Sequence, residues 1–216
     1  MIVPDAEKLH WRSVSISIKV PRGHLDLDSL AQSVAPLTGF VLGSGDAFTG
    51  QTYAYVYPLE TDFDFDEHTV QVDSYRGADE VIEEQLQRLD HDGFYSVLQS
   101  CIRDIDELQV ISTTDLYYPA AQAAWRMKML ADTPGLEEFR SEIGKISLSG
   151  VKLRFSDSPH GLLETFLETS PDEDEYRCSL TVFNLITPDQ LTGLHGMVLS
   201  QAEEFAQLFV EVKEES

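Results

Sequence analysis

Apolar and polar residues alternate most cleanly over residues 13–20, SVSISIKV, where Val14, Ile16, Ile18 and Val20 interleave with Ser and Lys. A period of two marks a strand with one buried face and one wet face. The PRG that follows breaks the pattern. Asp26 or Asp28 then caps a short helix through Leu30, Ala31 and Val34, ended by Pro36 and Gly39. Phe40 to Leu42 predict a brief strand, and the glycines at 43, 45 and 50 a flexible turn.

Gln51 to Pro58 brings Tyr53, Tyr55 and Tyr57 to one face of a strand, with Ala54 and Val56 opposite. His68 to Tyr75 alternates likewise and pairs with it as a hairpin. The stretch between them, Asp62, Asp64, Asp66 and Glu67 around two Phe, is then an acidic tip. Residues 78–104 carry the longest helical stripe, through Val81, Ile82, Leu86 and Leu89, a break at residues 91–93, and on through Phe94, Leu98 and Cys101. Leu108 to Ser112 predict a short strand, Pro119 to Leu130 a helix and Leu136 to Ile143 a second, shorter one.

Ile146 to Phe155 alternate around an irregularity at Gly150. Leu162–Thr169 and Tyr176–Leu185 form a second hairpin, with SPDEDE at its tip. The last helix has the clearest start: Thr187 as cap, Pro188 in the first position and Gln190 closing a capping box. Its buried stripe runs from Leu191 through Val198 and Phe205 to Val212, and Gly193 and Gly196 mark either close backbone contact or a broken first turn.

Helices and antiparallel strands in this order predict an α+β fold, an antiparallel sheet with helices mainly on one face. The chain, 1–216, reads as a single compact domain. The order strand, acidic-tipped hairpin, long helix occurs at both ends. It suggests related halves, 12–115 and 144–212, joined by the helical segment 119–143. Residue identity between them is negligible.

Composition narrows the partners. Against 38 Asp and Glu stand 15 Lys and Arg, a formal charge of −23, while 42% hydrophobic residues supply a core. Direct binding to nucleic acid and to anionic membrane is disfavoured, because like charges repel. Two distant cysteines outside any CxxC pair, no secretory pattern in MIVPDAEKLHW and no apolar run near the roughly 20 residues of a membrane span point to a soluble cytoplasmic chain with reduced thiols.

No chemical motif stands out. The glycine segment lacks the Lys-Ser or Lys-Thr of a phosphate loop, and Asp46 would repel a phosphate. Ser156, Asp157, Ser158 and His160 have the residue types of a hydrolase triad but no strand-turn-helix GxSxG around them. Asp62, Asp64, Asp66 and Asp73 match ligand positions of an EF-hand-like loop, yet Glu67 stands where that loop needs Gly. Neither catalytic residues, a cofactor nor a metal is therefore assigned.

The expected function is non-catalytic: an acidic protein that engages a basic protein partner, of the inhibitor, immunity-protein or nucleic-acid-mimic kind. The candidate contacts are Asp62, Asp64, Asp66 and Glu67, Asp172, Glu173, Asp174 and Glu175, with Tyr53, Tyr55 and Tyr57 as anchors. The alternatives are a metal-dependent enzyme using the Asp62–His68 cluster, and a halophile-type acidic surface around an unknown function.

Overall fold

The computed structural model describes residues 10–34, 41–45, 52–57, 61–75, 93–119, 150–156, 158, 161–169 and 175–207. Their strands are β1 (His10–Lys19), β2 (Val41–Gly45), β3 (Thr52–Tyr57), β4 (Thr61–Phe65), β5 (Thr69–Tyr75), β6 (Leu108–Pro119), β7 (Gly150–Arg154), β8 (Leu162–Thr169) and β9 (Glu175–Ile186). The α-helices are α1 (Leu27–Val34), α2 (Phe94–Cys101) and α3 (Leu194–Gln207). The strands make one antiparallel sheet in the order β2-β3-β4-β5-β1-β6-β9-β8-β7. The α+β class follows.

The alternation in β1 becomes the two faces of this sheet. Val14, Ile16, Ile18 and Val20 are buried, as are Val70 and Val72 of β5, Val110 and Leu116 of β6, and Leu180 and Val182 of β9. The register aligns them: Ile16 lies between Val72 and Ser112, and Ser112 opposes Val182. The helices cover this face. Leu30 and Val34 of α1, Phe94 and Leu98 of α2, and Leu194, Val198 and Ala202 of α3 join the strand residues in one core. Asn184 of β9 and Gln201 of α3 exchange amide hydrogen bonds of 2.9 and 3.2 Å, tying helix to sheet. On the other face Ser13, Ser15, Ser17, Thr113 and Thr181 stay half-buried, as expected of an antiparallel sheet with one side open.

Several boundaries differ from the sequence reading. Gln51–Pro58 does not pair with His68–Tyr75. The acidic stretch is itself a strand, β4, between them, so the hairpin becomes a three-strand meander. Gly43 and Gly45 lie in β2 rather than in a turn. Leu108–Ser112 extends to Pro119, because β6 pairs along its whole length with β9. The helical segments expected at 78–92 and 120–143 lie outside the described residues. Of the strand expected from Ile146, residues 150–154 are seen in β7. The second hairpin, β8 with β9, is as expected.

The capping signal at Thr187 is present, with the Thr187 N–H donating to Gln190 Oε1 at 2.9 Å. It caps a single 3-10 turn, Pro188–Leu191, not the long helix. Gly193 takes φ +83°, open to glycine without strain, and α3 begins one residue later. The first turn is broken there. Gly196 lies inside α3 with nothing within 4 Å of a built Cβ. Gly196→Ala is therefore expected to stabilise the protein by up to about 1 kcal/mol, the helix-propensity difference, read as a rise in the urea midpoint at constant m-value. Among the described residues no helix is long and apolar enough to cross a membrane.

Candidate functional site

The acid-rich stretch is built by alternation. In β4, Phe63 and Phe65 register with Val72 and Val70 of β5, and Phe65 is buried. Asp62 and Asp64 register with Asp73 and Gln71. Asp66 ends the strand and makes the turn, its Oδ1 accepting the N–H of His68 at 2.7 Å and of Thr69 at 2.8 Å. Such Asx bonding is what favours Asp in turns. Glu67 and His68 are exposed at the turn. Arg22 Nε lies 3.9 Å from Glu67 Oε2, an exposed pair worth at most about 1 kcal/mol.

The sequence-predicted residues are thus partly separated. Tyr53 and Tyr55 register with Phe65 and Phe63, while Ala54 and Val56 register with Asp64 and Asp62. Asp172, Glu173 and Asp174 lie outside the described residues, and Glu175 opens β9 opposite Pro119. The EF-hand-like spacing falls on a strand and a tight turn, and Asp66 Oδ1 is already engaged by backbone N–H groups. Among the described residues no three His, Cys, Asp or Glu are grouped to hold a metal ion.

Strand pairing assembles a second polar cluster on the open face. Asp115 Oδ2 of β6 accepts Ser13 Oγ at 3.0 Å and Arg177 Nη2 at 2.8 Å. Beside it Gln71 Nε2 donates to Ser15 Oγ at 2.7 Å and to Asp73 Oδ1 at 2.9 Å, and Thr113 and Thr181 share a hydroxyl contact of 3.2 Å. These residues come from β5, β1, β6 and β9. The Ser spacing in β1 and the alternation of Gln71 and Asp73 with Val70 and Val72 in β5 announced that face in the sequence.

A third group was missed altogether. The loop after α2 folds back beside α1: Asp26 N–H donates to Cys101 O and Arg103 N–H to His24 O, both at 2.9 Å. His24 Nδ1 is 2.8 Å from Arg103 O; a carbonyl only accepts, so Nδ1 carries the proton. Asp26 caps α1 through the Ser29 N–H at 3.0 Å, and this backbone bond, aided by the Ser29 side chain and the Arg103 guanidinium, holds its carboxyl below the usual range. Arg103 Nη2 sits 2.5 Å from Asp26 Oδ2. Exposed Asp28, Asp104, Asp106 and Glu107 stand close by along the same loop and helix start. The signal was the run RDIDE, hidden because it was read as the end of a helix.

Among the described residues the charge balance is uneven in space as well. Each described Lys and Arg is engaged within the fold. Arg22 faces Glu67, Arg103 meets Asp26, Lys152 and Arg154 both reach Glu164, and Arg177 meets Asp115. Arg12 donates to the Tyr117 hydroxyl and lies 5.4 Å from its ring centre, and Lys19 donates to Thr69 at 2.9 Å. Lys152, chiefly by its hydrogen bond, pulls the Glu164 carboxyl down. Asp28, Asp104, Asp106, Glu107, Asp189, Glu203 and Glu204 are exposed and make no ion pair among the described residues. Both cysteines are buried and neither is in a disulfide, and burial pushes the Cys101 thiol up, away from the reactive thiolate.

No protein-family model matches the chain, and no curated protein or solved structure matches it significantly.

Proposed function

We propose that the chain is a non-catalytic acidic binding protein that engages a basic protein partner, as inhibitors, immunity proteins and nucleic-acid mimics do. One observation carries this reading: each described cation has a partner within the fold, while seven exposed carboxylates make no ion pair among the described residues. An acidic surface of this kind attracts a cationic partner from a distance, raises its association rate and loses that advantage in salt. The contacts would be drawn from Asp62, Asp64, Glu67 and the Asp104–Glu107 loop, with Asp66 holding the turn that presents Glu67.

The test uses the full chain as bait in a lysate, alongside a variant carrying Asp104→Asn, Asp106→Asn, Glu107→Gln, Asp62→Asn and Asp64→Asn. The expected result is one basic protein held by the parent at low salt and released at high salt. With that protein purified, the variant should associate roughly tenfold more slowly at low salt, and the two rates should converge as salt is added. Equal rates at every salt concentration would refute the reading. Loss of fold in the parent itself at low salt would instead assign the acids to solvation.

A further inference from the structure

We infer that the chain is two copies of one strand-meander-helix unit fused in tandem, β1 through α2 and β6 through α3, related by a pseudo-two-fold axis normal to the sheet. The inference does not depend on the binding reading above. Its first support is the strand order. Each unit gives its first strand to the centre, sets its last strand against it, and lays the earlier strands outward: β5, β4, β3 beside β1, and β9, β8, β7 beside β6. The two central strands are antiparallel, as a two-fold normal to the sheet requires. Among the described residues the first unit has α1 and β2 in addition.

The register agrees. Ile16 pairs with Ser112 at the middle of the paired stretch Ser13–Lys19 with Gln109–Asp115. A half-turn about that pair carries each β1 number to the β6 number 96 higher, since 112 − 16 = 96. Val14, Ile16, Ile18 and Val20 then fall on Val110, Ser112, Thr114 and Leu116, and all eight are buried. Inner face maps to inner face, as it must.

The helices supply independent support. Gly93 at φ +80° immediately precedes α2, and Gly193 at φ +83° immediately precedes α3. The Val97 N–H donates to the Gly93 carbonyl at 3.0 Å and the Met197 N–H to the Gly193 carbonyl at 3.1 Å. The offset is 193 − 93 = 100, and it matches Phe94 with Leu194 and Leu98 with Val198, all buried. It also matches Tyr95 with His195, whose rings stack at 6.2 Å and 21°. Equivalent residues that touch each other lie at the axis. One axis thus passes between β1 and β6 in the sheet and between Tyr95 and His195 above it.

Nothing in a shared strand order demands this last contact. Strands and a helix in similar succession are common, but they do not by themselves set two helix starts in mutual contact. The second unit therefore begins at β6 and not near residue 144. The turn between β4 and β5, with Asp66 and Glu67, and the connection between β8 and β9, acid-rich in the sequence, become counterparts.

The test is a set of cross-distances in the full chain, by spin labels on paired cysteines. The first set compares Ser100→Cys with Thr113→Cys against Ser200→Cys with Ser17→Cys. The second compares Ser100→Cys with Ser17→Cys against Ser200→Cys with Thr113→Cys. A two-fold makes the two distances in each set equal. Members of a set that differ by more than one helical turn, about 5 Å, overturn the inference. Should a strand label prevent folding, Lys19→Cys and Asp115→Cys replace Ser17→Cys and Thr113→Cys, because the same offset relates them.

Discussion

Gly161→Ala is expected to lower stability by roughly 2–5 kcal/mol, a strain of about 1–2 for the left-handed backbone added to about 1–3 for an overpacked site. Gly161 holds φ +73° where the chain enters β8, and a Cβ there would stand 2.0 Å from the Phe183 carbonyl oxygen. That oxygen is backbone in β9 and cannot swing aside. Nor can Gly161 retreat freely, because its own carbonyl accepts the Phe183 N–H at 2.8 Å and its N–H donates to Ser158 O at 3.2 Å. Relief of the clash must open the β8/β9 pairing just where Leu162 opposes Val182 and the register slips by one residue. For a chain of this length the loss corresponds to a fall of roughly 10 °C in Tm. Gly23→Ala is the control. Its φ is +83° but nothing lies within 4 Å, so it should cost only the backbone strain, about 1–2 kcal/mol. Equal losses at the two positions would mean that the close approach at Phe183 is absent.

How much of this was legible depended on the range over which each interaction acts. Alternation in β1 and the apolar stripe of α3 are local and were read directly, since burial on one face needs only the right period. β4 was misread although it alternates just as well, because Asp62, Asp64 and Asp66 looked too charged for the interior of a sheet. The pairing resolves this: Asp62 and Asp64 register with half-buried Asp73 and Gln71, while Phe65 goes to the core. At Thr187 the capping residues were recognised, yet what they cap depended on the conformation of Gly193, which residue type permits but does not dictate. The Ser13–Asp115–Arg177 cluster was out of reach in principle. Its members are 102 and 62 residues apart, and only the order of β1, β6 and β9 unites them. The same holds for the pairing of Asp26 with Arg103, 77 residues away.

Ile16→Ala is expected to cost about 3–5 kcal/mol, the upper part of the range for removing a buried aliphatic side chain. Ile16 is wholly buried at the midpoint of the central strand, between Val72 and Ser112, with strands on both sides and the helical layer over it. A residue so enclosed cannot collapse the hole it leaves, and the cost rises with the volume left empty. Ser17, one residue along, points to the open face, and Ser17→Ala should change stability by no more than about 0.5 kcal/mol. Backbone, strand and pairing are common to the two substitutions, so the contrast isolates the face. Denaturant unfolding of both variants measures it, with the m-value unchanged if the native state keeps its extent. A loss below about 1 kcal/mol at Ile16 would be incompatible with a packed inner face. The sheet would then not be joined through β1 and β6 into the single layer on which the helix-covered core rests.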